Sequence, residues 1–151
     1  MDNNGLTLPP FQAKIVEEEG KRKIFDPVRR KYVALTPEEW VRQHFVNYLV
    51  TVKGYPAELI ANEVQIRLNN TTKRCDTLLY DRLLQPQMIV EYKAPSVEIT
   101  QNVFEQIVCY NMALHVRYLI VSNGIRHICC EIDYSKGCCK FLPEVPAYTL
   151  L

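Results

Sequence analysis

Ile89-Val90-Glu91-Tyr92-Lys93-Ala94 closes an apolar run with an acid and an amine two residues apart. Side chains of a strand alternate between its faces, so Glu91 and Lys93 project from one side while Val90 and Tyr92 occupy the other. The preceding apolar segment carries Arg74-Cys75-Asp76. A hairpin that sets Asp76 opposite Glu91 also sets Tyr80 opposite Gln87, leaving Asp81-Arg82-Leu83-Leu84-Gln85-Pro86 as a connection of ordinary length. Two carboxylates then converge beside one lysine, the arrangement that holds a divalent cation and a phosphate together.

On the C-terminal side, Pro95 ends the strand and residues 99–114 read as a helix with Val103, Ile107, Tyr110 and Leu114 on one side. Gln106 lies beside that stripe, four residues before Tyr110 and so on one helix face with it. A last β region covers 117–122, 125–132 and 138–141, with turns at Asn123-Gly124 and Lys136-Gly137.

On the N-terminal side, Val64, Ile66 and Leu68 alternate with Glu63, Gln65 and Arg67, the pattern of a half-buried strand turning at 69–72. Thr36-Pro37-Glu38-Glu39 offers an N-cap, a proline at the first helical position and two acids in the first turn. The helix it opens runs to about residue 53, with Val41, Phe45, Tyr48, Leu49 and Val52 as core stripe and Gly54-Tyr55-Pro56 as its end. Asp26-Pro27 between two short apolar runs predicts a small hairpin. Its lysines and arginines, Lys21 to Lys23 and Arg29 to Lys31, form either a solvated edge or a surface for a nucleic-acid backbone. Residues 1–10 read as a loose or partner-bound tail and 11–151 as one domain. The expected fold is α/β in the broad sense (α+β): a mixed central sheet flanked by helices, with an additional N-terminal β-hairpin.

Charged residues make up 23% of the chain, apolar ones 48%, and the formal net charge is +1, which excludes a strongly basic nucleic-acid coat. No apolar stretch is long enough to span a bilayer, and a cytoplasmic location is expected. Cysteines stand at 75, 109, 129, 130, 138 and 139. The vicinal pairs lack zinc-knuckle spacing, and adjacent strand residues point to opposite faces, so reduced, partly buried thiols are expected over a zinc site. His44, His115 and His127 show no metal-ligand spacing.

The order and context of several short motifs resemble the PD-(D/E)XK nuclease superfamily, and more closely the domain at the N-terminus of type I restriction enzyme R subunits. The resemblance spans roughly 36–128: Pro37-Glu38-Glu39-Trp40-Val41-Arg42-Gln43, Arg74-Cys75-Asp76, Ile89 to Pro95, Gln106-Ile107-Val108-Cys109-Tyr110 and Val121-Ser122-Asn123-Gly124. It implies a restriction-endonuclease-like fold and a Mg²⁺- or Mn²⁺-dependent DNA endonuclease. In that pattern Asp76 and Glu91 are metal ligands, Lys93 is the catalytic lysine, and Gln106 with Tyr110 is an auxiliary pair near the substrate. A first-helix acid, Glu39 rather than Glu38, completes the site; outside the resemblance, alternation on the neighbouring strand lets Glu63 either approach the site or face solvent. A partner subunit or a homodimer would supply target choice.

Two departures stand out. Cys75 replaces the proline common before the aspartate, and no Gly-x4-Gly-Lys-Ser/Thr loop is present, so no DNA translocation is expected of these residues alone. Competing readings are a cross-strand ion pair of Asp76, Glu91 and Lys93, and a nuclease-like fold acting as a non-catalytic DNA-binding or protein-interaction module. A second Glu-x-Lys, Glu19-Gly20-Lys21, lacks the apolar lead-in.

Overall fold

The computed structural model describes residues 5–68, 70–111 and 114–150, with backbone only at 68, 71, 109–111 and 150. A small antiparallel sheet of β1 (Ile15–Glu18), β2 (Lys21–Asp26) and β3 (Lys31–Ala34) precedes the main body. The charge run at 17–19 thus belongs to a third strand and its turn, which extends the expected hairpin by one. Glu19 and Gly20 both take positive φ, 52° and 75°, the twist that a two-residue hairpin turn needs.

Helix α1 (Pro37–Thr51) begins as its sequence dictates: the Thr36 side chain accepts from the Glu39 N–H at 3.0 Å and Pro37 fills the first position. Val41, Phe45 and Leu49 are fully buried, whereas Val52, expected in the same stripe, is 57% exposed because the helix stops at Thr51 and the chain turns at Gly54. Val46 takes up core contact in its place.

A six-stranded sheet follows, in the order β4 (Ile60–Leu68), β5 (Thr71–Tyr80), β6 (Pro86–Tyr92), β7 (Tyr118–Ser122), β8 (His127–Asp133), β9 (Cys138–Leu142). All pairs are antiparallel except β6 and β7, which α2 (Gln101–Asn111) connects as a crossover. The expected mixed sheet flanked by helices and carrying an extra N-terminal β unit is what the chain forms. Helix α2 starts at Gln101 rather than at residue 99, Thr100 capping it through the Val103 N–H, and residues 112–113 of the 99–114 reading lie outside the described residues. Among its described side chains Phe104, rather than Val103, is the fully buried one.

Two cores sandwich the sheet. Met88, Val90, Tyr92, Tyr118, Ile120 and Cys129 pack with α1; Ile89, Leu119, Val121, Cys130 and Ile132 pack with Phe104 of α2. Cys129 and Cys130 therefore part to opposite faces, as adjacent strand residues must. The stretch expected to be a loose tail behaves differently at Leu6 and Leu8, which are buried, while the Thr7 N–H donates to the Gly124 carbonyl.

The alternation breaks at one place. Ile60 and Asn62 face the α1 side, but Val64 and Ile66, of the same parity, pack on the α2 side. Between them Glu63 has φ 57°. On β5 the same switch separates Thr77, which meets Tyr92, from Cys75 in the α2-side core. Asn62 pairs with Thr77 and Val64 with Cys75, so the break lies across Glu63 and Asp76.

Candidate functional site

Thr77 pairs with Val90 and Leu78 with Ile89, the register that sets Asp76 against Glu91. At the far end the register slips by one, Tyr80 meeting Pro86 rather than Gln87. The slip follows from the turn: Asp81 Oδ1 accepts the N–H groups of Leu83 and Gln85 and tightens the loop, with Leu84 at φ 61°.

Glu91 lies two residues from Ile89, buried in the α2-side core, and so projects to that face; Asp76, at the break in alternation, stands close enough for its charge to act on Glu91. Asp76 Oδ2 accepts the main-chain N–H of Tyr92 at 2.9 Å, and its main-chain carbonyl accepts from Arg42 Nη1 at 2.6 Å. Glu91 Oε1 is buried without a hydrogen-bond partner. Burial and the neighbouring Asp76 carboxylate push the Glu91 carboxyl up to about 9, against the pull of Lys93 and Arg42. Two ionised carboxylates cannot hydrogen-bond each other, so a proton or a cation between them supplies the missing partner. An orphaned carboxylate oxygen beside a second carboxylate suits a divalent cation with hard oxygen ligands, and the pair therefore fits Mg²⁺ or Mn²⁺.

Lys93 follows β6 directly, with its N–H on the Ser122 carbonyl at 2.9 Å. Ser122 is held in turn: its Oγ contacts His127 Nδ1 at 2.7 Å, and His127 Nε2 contacts Thr7 Oγ1 at 2.9 Å. Thr7 Oγ1 donates to the Ile125 carbonyl and so accepts from His127 Nε2; in the neutral ring Nδ1 then accepts from Ser122. Burial alone keeps its pKa below the usual histidine value. The lysine is thus anchored at its backbone through a chain running to the N-terminal segment.

The first-helix acids do not join the pair. Glu38 is exposed. Glu39 is 5% exposed and engaged elsewhere: Oε1 accepts from Arg29 Nη2 at 2.7 Å, Oε2 from Gln43 Nε2 at 2.9 Å, and Arg42 Nε lies 3.1 Å away. Glu63 is tied to Arg42 Nη2 and to Arg74. Among the described residues no group of three or more His, Cys, Asp or Glu side chains is placed to hold a metal. Gln106 is exposed on α2, the helix covering the face of Asp76 and Glu91. The Tyr110 side chain lies outside the described residues.

Asp26, Arg42, Asn62 and Thr77 escape a reading based on apolar periodicity, and Arg29, expected on a solvated edge or a nucleic-acid surface, is instead turned inward against Asp26 and Glu39. Asp26, fully buried, bonds Arg29 and accepts from Asn62 Nδ2 at 3.0 Å; Thr77 Oγ1 donates to Asn62 Oδ1 at 2.7 Å and accepts from Tyr92 OH at 2.9 Å. Ion pairs from Asp26 through Arg29, Glu39, Arg42 and Glu63 to Arg74 thus connect the small sheet, α1 and the Asp76 strand. The available signal was the charged content of 38–43 inside an otherwise apolar helix.

The family model for the type I restriction enzyme R protein N terminus matches residues 37–146, from the first turn of α1 to beyond β9. No curated protein shows a significant match. Among solved structures, a fragment of a chain assigned as an HsdR subunit of a type I restriction enzyme from Vibrio vulnificus YJ016 superposes with a TM-score of 0.52 at 22% identity. The superposition covers 75% of this chain and 24% of that one, so the chain spans about a quarter of that structure's length. At this identity the likeness is one of fold.

Proposed function

The chain belongs to the family of type I restriction enzyme R protein N termini, and from that premise we propose that it is a Mg²⁺-dependent DNA endonuclease domain hydrolysing phosphodiesters. The observation that carries the reading is the Asp76–Glu91 pair, whose buried Glu91 oxygen lacks a partner. Asp76 and Glu91 would hold the cation. When bound, Mg²⁺ neutralises charge on the scissile phosphate, activates water and stabilises the leaving oxygen.

The chain's own groups divide the remaining work. Lys93, whose charge acts on Glu91, orients or deprotonates the attacking water and balances charge developing on the phosphate. Gln106 on the covering helix offers a carboxamide to substrate, with Tyr110 as its companion. Glu39 acts at one remove, by keeping Arg29, Arg42 and Gln43 in place. Target choice comes from a partner subunit or a second copy, because the net charge of +1 gives little non-specific hold on DNA. No helix of the described residues is long and apolar enough to cross a membrane, which suits work on DNA in the cytoplasm.

Incubation of plasmid DNA with the protein tests this. Nicking or cleavage that requires Mg²⁺ or Mn²⁺ and is lost in folded Asp76→Ala and Lys93→Ala variants is expected; metal-independent cleavage, or equal activity in the variants, refutes it. The lack of a third metal-ligating acid among the described residues favours one rival, a non-catalytic DNA-binding module. It predicts DNA binding without cleavage and no heat on titration with millimolar Mn²⁺.

A further inference from the structure

Arg42 reaches from α1 to the point where the sheet changes face, and is 5% exposed there. Nη1 donates to the Asp76 carbonyl at 2.6 Å, Nη2 bonds Glu63, and the guanidinium carbon lies 5.7 Å from the Tyr92 ring centre. Tyr92 donates its main-chain N–H to the Asp76 carboxylate. Arg42 thus touches Asp76 itself, the residue across from it on β4, and the residue that holds its side chain.

A guanidinium carries its donors in one rigid plane, so bonding a main-chain oxygen with one nitrogen and Glu63 with another fixes the spacing of β4 and β5 at that point. The positive φ of Glu63 interrupts the regular alternation there, and a strand at such a break is aimed by its side-chain contacts. We propose that Arg42 is the positioning residue of the carboxylate pair: it holds the Asp76 main chain so that the Asp76 carboxylate stays against Glu91. It thereby sets the affinity of a cation site that it does not ligate. The inference rests on Asp76 and Glu91 being metal ligands.

The sign of the effect separates positioning from charge. A nearby guanidinium opposes cation binding by Coulomb repulsion, so if charge alone mattered, removing it would tighten binding. Positioning demands the reverse. Titration of Mn²⁺ into the full chain by calorimetry, with circular dichroism to establish folding, is the test. Arg42→Lys, which keeps the charge and loses the fork, and Arg42→Gln, which loses both, are expected to bind Mn²⁺ about 10- to 100-fold more weakly than the parent, the usual cost of losing an outer-shell partner. Glu63→Gln, which sacrifices an ion pair but leaves the Arg42–Asp76 bond, should stay within about threefold, well short of that outer-shell loss.

Arg42→Gln binding as tightly as the parent, or Glu63→Gln weakened as much as the arginine variants, overturns the proposal. Should neither arginine variant fold, Mg²⁺ titration of the ¹⁵N-labelled parent decides. An Arg42 Nε–H signal moving with the Tyr92 amide along one saturating curve supports positioning, and one that stays still overturns it. A parent chain that binds no Mn²⁺ sinks the metal reading itself, whereas a binding parent with unaffected arginine variants sinks only the role of Arg42.

Discussion

The Asp76 carboxylate takes the main-chain N–H of Tyr92 at 2.9 Å, so at this point a side chain rather than a carbonyl joins β5 to β6. A ligand candidate held by the backbone of the neighbouring strand is pre-aimed, and its fold role and its chemical role become separable. Asparagine keeps an acceptor for that N–H and removes the charge.

Asp76→Asn is therefore expected to fold with a thermal midpoint equal to or above that of the parent, while binding no Mn²⁺. Asp76→Ala loses the hydrogen bond as well and should cost about 1.5–3 kcal/mol. Paired thermal unfolding and calorimetry check both; an Asp76→Asn protein that still binds Mn²⁺ contradicts the assignment.

Glu91 gives a pH signature. Its folded pKa is raised to about 9 by burial and by Asp76, so the folded state keeps a proton that the unfolded state releases above the ordinary carboxylate range. Metal-free stability attributable to this group falls as pH climbs from that range towards 9, by at most about 1.4 kcal/mol per pH unit. Glu91→Gln removes the slope. Mg²⁺ reverses it, because the cation replaces the proton and stabilises more strongly the higher the pH. Urea titrations in EDTA and in Mg²⁺ at several pH values read all three effects; identical pH profiles of parent and Glu91→Gln would show that the carboxyl titrates normally.

Asp26 runs the other way. Burial alone would raise its pKa, but hydrogen bonds from Arg29 and Asn62 hold it below the usual value. Its contribution is present above the ordinary carboxylate range and is lost as pH falls through the depressed folded value; Glu63, held down by Arg42 and Arg74, behaves likewise. Asp26→Asn breaks a buried pair and should cost about 3–5 kcal/mol at neutral pH. The difference from the parent shrinks in acid, as denaturation midpoints at pH 7 and pH 3 will show.

Gly124 couples the N-terminal segment to the sheet. Its φ is 85°, and a Cβ there would stand 2.6 Å from Leu6 Cδ2 and 3.1 Å from Val41 Cγ2. Gly124→Ala is expected to destabilise through both the backbone and the contact, by about 1–3 kcal/mol. In a Leu6→Ala background the penalty should be smaller, since one of the crowded groups is gone. A double-mutant cycle on unfolding free energies measures that difference, and strict additivity would mean that Leu6 does not pack where it is placed.

The pairing of Asp76 with Glu91 was legible because a short connection leaves a hairpin few registers, although the loop end slips by one at Tyr80 and the alternation breaks at Asp76 itself. So were the start of α1 at Thr36-Pro37 and the crossover helix between β6 and β7. What escaped was polar and buried. Arg42, Gln43 and His44 occupy core positions of α1, and a search for apolar periodicity passes over them. The face switch at Glu63 was invisible because a positive φ at a glutamate has no sequence mark. Glu39 misled through position: an acid at the right turn of α1 turned out to be neutralised by Arg29 and Arg42. Leu6 and Leu8 read as tail residues in the sequence because no periodicity surrounds them, yet both are buried.

The run of alternating charges from Asp26 to Glu63 carries an evolutionary consequence. Each member cancels its neighbours, so replacing one strands an unpaired charge in a region with little water, and the damage spreads to both sides. Such positions cannot drift singly. Over descent, Asp26, Arg29, Glu39, Arg42 and Glu63 should change in company or stay fixed, a pattern of correlated substitution that marks the strut between the small sheet and the Asp76 strand.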